Sequence, residues 1–145
     1  KQALDRIITF FPDERREQLL MDLSLNIRAL VSQRLIPRES GSGRIAAMEI
    51  MLNSPLIQDL IFKGKVQEIK EVMSRSTRIG MKTFDQALYE LYETGFISYE
   101  DALRNADSKN ELRLKIKLES KREVKNLDDG GTLSMVDEEQ QGRSF

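Results

Sequence analysis

The stretch Thr83-Phe84-Asp85-Gln86-Ala87-Leu88-Tyr89-Glu90-Leu91-Tyr92-Glu93-Thr94-Gly95-Phe96-Ile97-Ser98-Tyr99-Glu100-Asp101-Ala102-Leu103-Arg104-Asn105-Ala106 decides the architecture. It opens on a hydroxyl followed three residues later by Gln86, the pattern in which cap and side chain satisfy each other's free backbone donors at a helix start. Phe84, Leu88, Leu91 and Tyr92 then recur three or four apart, which puts them on one stripe of a helix. Gly95 fits the left-handed residue that closes a helix, and Ser98 with Asp101 opens the next. The spacing predicts an αα-hairpin over residues 83–106. Tyr89, Tyr92, Tyr99, Phe84 and Phe96 have the chemistry of a base-stacking surface, but the stripe assigns them to core packing of that hairpin.

Working outward, Ser108 with Glu111 repeats the start signal, while Leu112-Arg113-Leu114-Lys115-Ile116-Lys117-Leu118 alternates as a strand does. The expectation is a helical turn fraying into an extended end. From Glu119 to Phe145 four basic residues (Lys121, Arg122, Lys125, Arg143) face seven acidic ones, a difference of −3 with little to bury. Such composition predicts a disordered tail over 119–145. Upstream, Ser54-Pro55 supplies a cap and a first-turn proline for a short helix carrying Leu56, Ile57, Leu60 and Ile61, closed by Gly64. A second helix runs from about Val66 with Ile69, Val72 and Met73 on one side. Pro12 with Asp13 and Glu14 starts a helix whose Leu19, Leu20, Leu23, Ile27, Leu30 and Val31 predict an amphipathic span of roughly 12–30. Val31 to Ile36 and Ile45 to Leu52 read as two strands of a hairpin around the loop Pro37 to Gly43.

The chain holds 145 residues, 23 basic against 24 acidic, with neither histidine nor cysteine. That removes imidazole bases, Ser-His and Cys-His nucleophile pairs, thiolate zinc sites and disulfides. A net charge of −1 gives no global field toward nucleic acid, and no metal constellation is present. No glycine-framed Gly-Lys-Ser/Thr run exists for cradling phosphate, so Gly41-Ser42-Gly43 reads as a turn. Adjacent carboxylates such as Asp13-Glu14, Glu100-Asp101 and Asp128-Asp129 point apart on a helix or lie in the tail. Arg6, Arg15, Arg16 and Arg34, with Arg28 and Arg44, are candidates for a guanidinium reaching a neighbouring subunit's nucleotide, set against plain surface ion pairing. The first residue is Lys1, an apolar pattern is already running by Ala3, and no secretory signal or long apolar run is visible, so the expectation is a truncated cytoplasmic protein.

Gln2-Ala3-Leu4-Asp5-Arg6-Ile7-Ile8-Thr9-Phe10-Phe11-Pro12, followed by Glu14-Arg15-Arg16, resembles the segment after the histidine box of type IV pilus retraction motors in the secretion ATPase superfamily. Gly80-Met81-Lys82-Thr83-Phe84-Asp85-Gln86-Ala87-Leu88-Tyr89, then Gly95 to Ala106, resembles the C-terminal helical region of the PilT/PilU group, nearest its PilU branch. The resemblance covers about residues 1–118. It implies an α/β fold: the C-terminal part of a RecA-like P-loop ATPase domain, contributing a β-hairpin plus helices over 1–53, followed by a C-terminal α-helical bundle over 54–118. The phosphate-binding loop, Walker B segment and histidine box would lie before Lys1, so no catalytic residue is expected here.

The group's retraction motif, Ala-Ile-Arg-Asn-Leu-Ile-Arg-Glu between Thr-Pro and Gly-Lys, aligns with Leu56-Ile57-Gln58-Asp59-Leu60-Ile61-Phe62-Lys63 between Ser54-Pro55 and Gly64-Lys65. Ile57, Leu60 and Ile61 are kept. Gln58 and Phe62 stand where the group has arginines, and Lys63 where it has glutamate. The resemblance further implies a parent ATPase that uses ATP and Mg, assembles as a homo-hexamer, and works with a paralogous retraction ATPase at an inner-membrane platform protein, peripheral to the cytoplasmic face of that membrane at the pilus base. It would power pilus retraction and twitching motility. Two other readings are a non-enzymatic helical docking module for a pilus or secretion partner, and an assembly ATPase, whose usual four-cysteine zinc motif this sequence lacks.

Overall fold

A computed structural model describes residues 2–122, with side chains from Leu4 onward. The elements are α1 (Gln2–Thr9), a 3-10 turn (Asp13–Arg15), α2 (Arg16–Asn26), β1 (Ala29–Pro37), β2 (Arg44–Leu52), α3 (Pro55–Phe62) and α4 (Val66–Arg75), and then a 3-10 turn (Thr77–Ile79), α5 (Phe84–Glu93), α6 (Tyr99–Asn105) and α7 (Lys109–Glu119). β1 and β2 pair antiparallel from Ala29↔Leu52 to Pro37↔Arg44. Gly41 and Gly43 take φ of 80° and 75° in the connecting loop, a region that side chains resist.

The hairpin spans two apolar clusters. Met51 joins Leu4 and Ile8 of α1, Ile57, Leu60 and Ile61 of α3, Val66, Ile69 and Met73 of α4, and Met81 in the first, with Leu20 and Leu23 of α2 packed against it. Ile36 and Ala47, nearer the loop, enter the second with Phe84, Leu88 and Tyr92 of α5, Ile97, Ala102 of α6, and Leu112 and Ile116 of α7. The expected border at residue 53 falls between β2 and α3, and the helices on either side of it share the first cluster. β1 alternates exposed and inward residues, leaving Val31 and Leu35 exposed on its outer face.

The αα-hairpin is formed as the sequence indicates. Thr83 Oγ1 accepts from Gln86 N (3.3 Å) and Gln86 Oε1 from Thr83 N (3.0 Å). Ser98 Oγ accepts from Asp101 N (3.1 Å), and Gly95 between the helices has φ 79°.

Two expectations are corrected. The helix predicted over about 12–30 is α2 alone, because Ile27 turns extended (φ −66°, ψ 135°) and Leu30 and Val31 belong to β1. Asn53 fixes that break by donating through Nδ2 to the Ser24 and Ile27 carbonyls, both at 2.8 Å. The segment Leu112 to Leu118 is helical throughout, with no extended end. Leu112 and Ile116 turn inward four residues apart while Leu114 and Leu118 face out, so one helix yields the alternation that mimics a strand. Ser108 makes no side-chain cap. Asp85 instead accepts from the backbone N–H of Asp107 (2.7 Å) and Ser108 (3.1 Å).

Glu119 ends α7, and the next three residues are anchored. Ser120 Oγ and Lys121 N donate to Glu93 (2.6 and 2.8 Å). Arg122 donates to the Tyr92 and Ile97 carbonyls, grips Glu39 with one nitrogen (2.9 and 3.1 Å), and lies over the Tyr92 ring. The disorder expected from sequence falls, for residues 123–145, outside the described residues.

Candidate partner interface

The motif residues 56–63 form α3 almost entirely. Ser54 Oγ accepts from Ile57 N (3.4 Å) and Pro55 occupies the first turn, so the start needs no donor it lacks. Ile57 and Ile61, fully buried, and Leu60, nearly so, fasten the helix to the first cluster. The remaining positions make the outer face: Leu56, Asp59, Phe62 and Lys63 are exposed and Gln58 is half-buried. Lys63 Nζ pairs with Asp59 (2.7 Å), an i,i+4 contact in solvent.

Beside this face runs an open groove of about 290 Å³ between α2 and α3, lined by Met21, Ser24, Leu25, Pro55, Gln58, Asp59 and Phe62. Met21 is 45% exposed, Leu25 58% and Phe62 56%, which is unusual crowding of bare apolar surface. The Asn53 contacts tie the end of α2 to the residue two before α3. Asn53 Oδ1 is buried without a hydrogen-bond partner. Chemically the groove can seat an apolar side chain and offer the Asp59 carboxylate. It holds no acid–base pair. Among the described residues, no three acidic side chains converge as for a metal ion.

The arginines divide. Arg34 donates to the Asn105 carbonyl (2.6 Å) and to Asp107 (2.8 Å), and stacks on the Phe84 ring at 3.9 Å. It is held inside the chain. Arg16 pairs with Asp13 (2.7 Å) at the surface. Arg6, in the last turn of α1, and Arg15, before α2, are exposed. The structure therefore does not gather the four arginines into one site.

Two polar constellations escape the sequence. Lys70 of α4 lies 3.1 Å from Asp85 and 3.8 Å from Asp107, so a chain of charges ties α4, α5, the α6–α7 link and, through Arg34, β1. The second is the Glu93–Ser120–Lys121 anchor with Arg122. The hydrogen bond from Ser120, and then that from the Lys121 backbone, holds the Glu93 carboxyl below its usual range. Partners of Arg34 lie 71 and 73 residues away, and those of Arg122 lie 25, 30 and 83 away, with no local pattern to announce them.

No family model matches the chain. The type IV pilus ATPase PilU of Pseudomonas aeruginosa is 54% identical over 99% of this chain, which covers 38% of that protein. The type IV pilus retraction ATPase PilT of the same organism is 35% identical over 72% of the chain, covering 30% of that protein. Among solved structures, the pilus retraction motor PilT with bound ADP superposes with a TM-score of 0.67 at 33% identity, over 78% of this chain and 31% of that one. The β-hairpin and helices thus have the fold of a RecA-like ATPase segment, and the chain spans under two fifths of the curated relatives it matches. Continuous identity along almost the whole length, with the same segment fold, means that the chain belongs to the PilT/PilU group of type IV pilus ATPases.

Proposed function

We propose that this chain is part of a motor that powers type IV pilus retraction and twitching motility through ATP hydrolysis, and that its share of the work is mechanical. The observation that carries the reading is the 54% identity to PilU sustained over 99% of the chain. ATP and Mg are bound by the intact protein through segments that these 145 residues do not include, since the sequence has no phosphate-cradling loop. The motor is a homo-hexamer acting with a paralogous retraction ATPase on an inner-membrane platform protein, from the cytoplasmic side and peripheral to the membrane. No helix among the described residues is long and apolar enough to cross a membrane.

In this reading α3 presents its outer face to the partner machinery. Ile57, Leu60 and Ile61 hold the helix rigid while Gln58, Asp59, Phe62 and Lys63 make contact. Two arginines of the group's motif are replaced there, so the contact depends less on cationic charge and more on the Phe62 ring. Arg6 and Arg15, with Arg28 and Arg44, are exposed arginines available to reach a neighbouring subunit. Phosphate release from ATP tests the division of labour. The intact protein hydrolyses ATP with Mg and the purified 1–145 chain does not; turnover by the chain alone, or none by the intact protein, overturns it.

A further inference from the structure

We infer that the outer face of α7 docks into the α2–α3 groove of a second copy of this chain, so that copies join head to tail. The first observation is α7 itself. Leu114 and Leu118 stand 57% and 73% exposed, one turn apart. Lys109, Arg113 and Lys117, also exposed, are spaced four residues apart beside them. Like charges at that spacing destabilise a helix, and among the described residues no carboxylate pairs with any of the three. The helix keeps a repulsive row that calls for counter-charge from outside.

The second observation is that the groove offers the complement. Met21 and Leu25 of α2 are likewise exposed and one turn apart, with Phe62 across from them. Asp59 lines the groove and is exposed, and α2 carries two further exposed carboxylates, Glu17 one turn before Met21 and Asp22 next to it in sequence. Asp22 accepts only from Gln18 (3.0 Å) among side chains, and the Asp59–Lys63 pair is solvated enough to exchange partners. Apolar side chains at i and i+4 on both helices suit ridge-into-groove packing, leucines between Met21, Leu25 and Phe62, cations over the carboxylates. α7 carries four basic residues against two acidic ones and α2 two acidic against one basic, so the two helices attract each other across copies.

The two surfaces differ, so the contact is heterologous: each copy uses one for the copy ahead and the other for the copy behind, and repetition closes a ring or extends a filament. This deepens the homo-hexamer proposed above, and only closure into a ring rests on that reading.

Analytical ultracentrifugation of the full chain tests it with two charge-reversed variants, R113E/K117E on α7 and E17K/D22K on the groove. Wild type self-associates and weakens as salt rises. Each variant alone associates at least tenfold more weakly, and an equimolar mixture recovers assembly, because reversed α7 then meets reversed groove. That recovery also shows that both variants are folded; L114S/L118S, with unchanged circular dichroism, gives the same loss without altering charge. The inference is overturned if wild type stays monomeric, if either variant associates like wild type through some other surface such as the β1 edge, or if the mixture stays apart. Assembly that responds to both faces yet grows without closing leaves this contact standing and removes the ring.

Discussion

Thr83 and Ile61 show what a single side chain carries. Thr83 is both cap and buried residue, its hydroxyl accepting from Gln86 N while Gln86 returns the bond. Thr83→Ala should cost about 0.5–2 kcal/mol, read as a lower urea midpoint with unchanged slope. Ile61, fully buried in the first cluster, should cost about 2–5 kcal/mol on replacement by Ala, whereas exposed Leu56 in the same helix should change stability by under about 0.5 kcal/mol. The cap was legible because its two partners are three residues apart. Arg34 was not: its partners, Asn105 and Asp107, become neighbours only after β1 and α6 meet, so a residue that looks free in sequence is engaged.

Among elements, the αα-hairpin could be read outright, since cap, stripe and left-handed glycine all agree. α7 could not. Its apolar residues fall on every second position because a helix that buries Leu112 and Ile116 also exposes Leu114 and Leu118, and spacing alone does not separate that from a strand. Replacing Leu112 or Ile116 by Ala should cost about 2–5 kcal/mol, and replacing Leu114 or Leu118 little. Equal losses at all four positions would mean that they share one buried face. The α2 overestimate has a similar origin: an apolar run continued from helix into strand, and the Asn53 contacts that mark the break come from 26 and 29 residues away.

The anchor after α7 adds a pH signature at the same scale. The Glu93 carboxyl is held below the ordinary 4.5, so the folded form binds a proton less readily than the unfolded chain. Its contribution to stability is therefore present above that ordinary value and lost as pH falls through the lowered one. The Lys121 amide resonance should stay constant from neutral pH to below 4.5 and shift only beyond it, and Glu93→Gln should abolish that shift. A midpoint at or above 4.5 would contradict the assigned bonds.

For the molecule as a whole, the helices and the β-hairpin were available from periodicity and turn chemistry, and the fold class and the group from the resemblance carried by separated motifs arriving in order. The partition into two clusters was not, because a hairpin of two nine-residue strands serves both, Met51 at one end and Ile36 with Ala47 toward the other. The motif helix α3 illustrates the limit for the site. Sequence alignment located it and its three apolar anchors, while the groove beside it depends on α2, which lies some thirty residues earlier. We propose above that these residues form the mechanical segment of a PilU-type motor. The most direct test replaces the matching segment of Pseudomonas aeruginosa PilU with this chain in cells lacking their own PilU, and measures twitching motility. Motility should return, and fall again when Ile61→Ala loosens α3; a chimera that accumulates to normal level, hydrolyses ATP and yet restores no motility would refute the mechanical role.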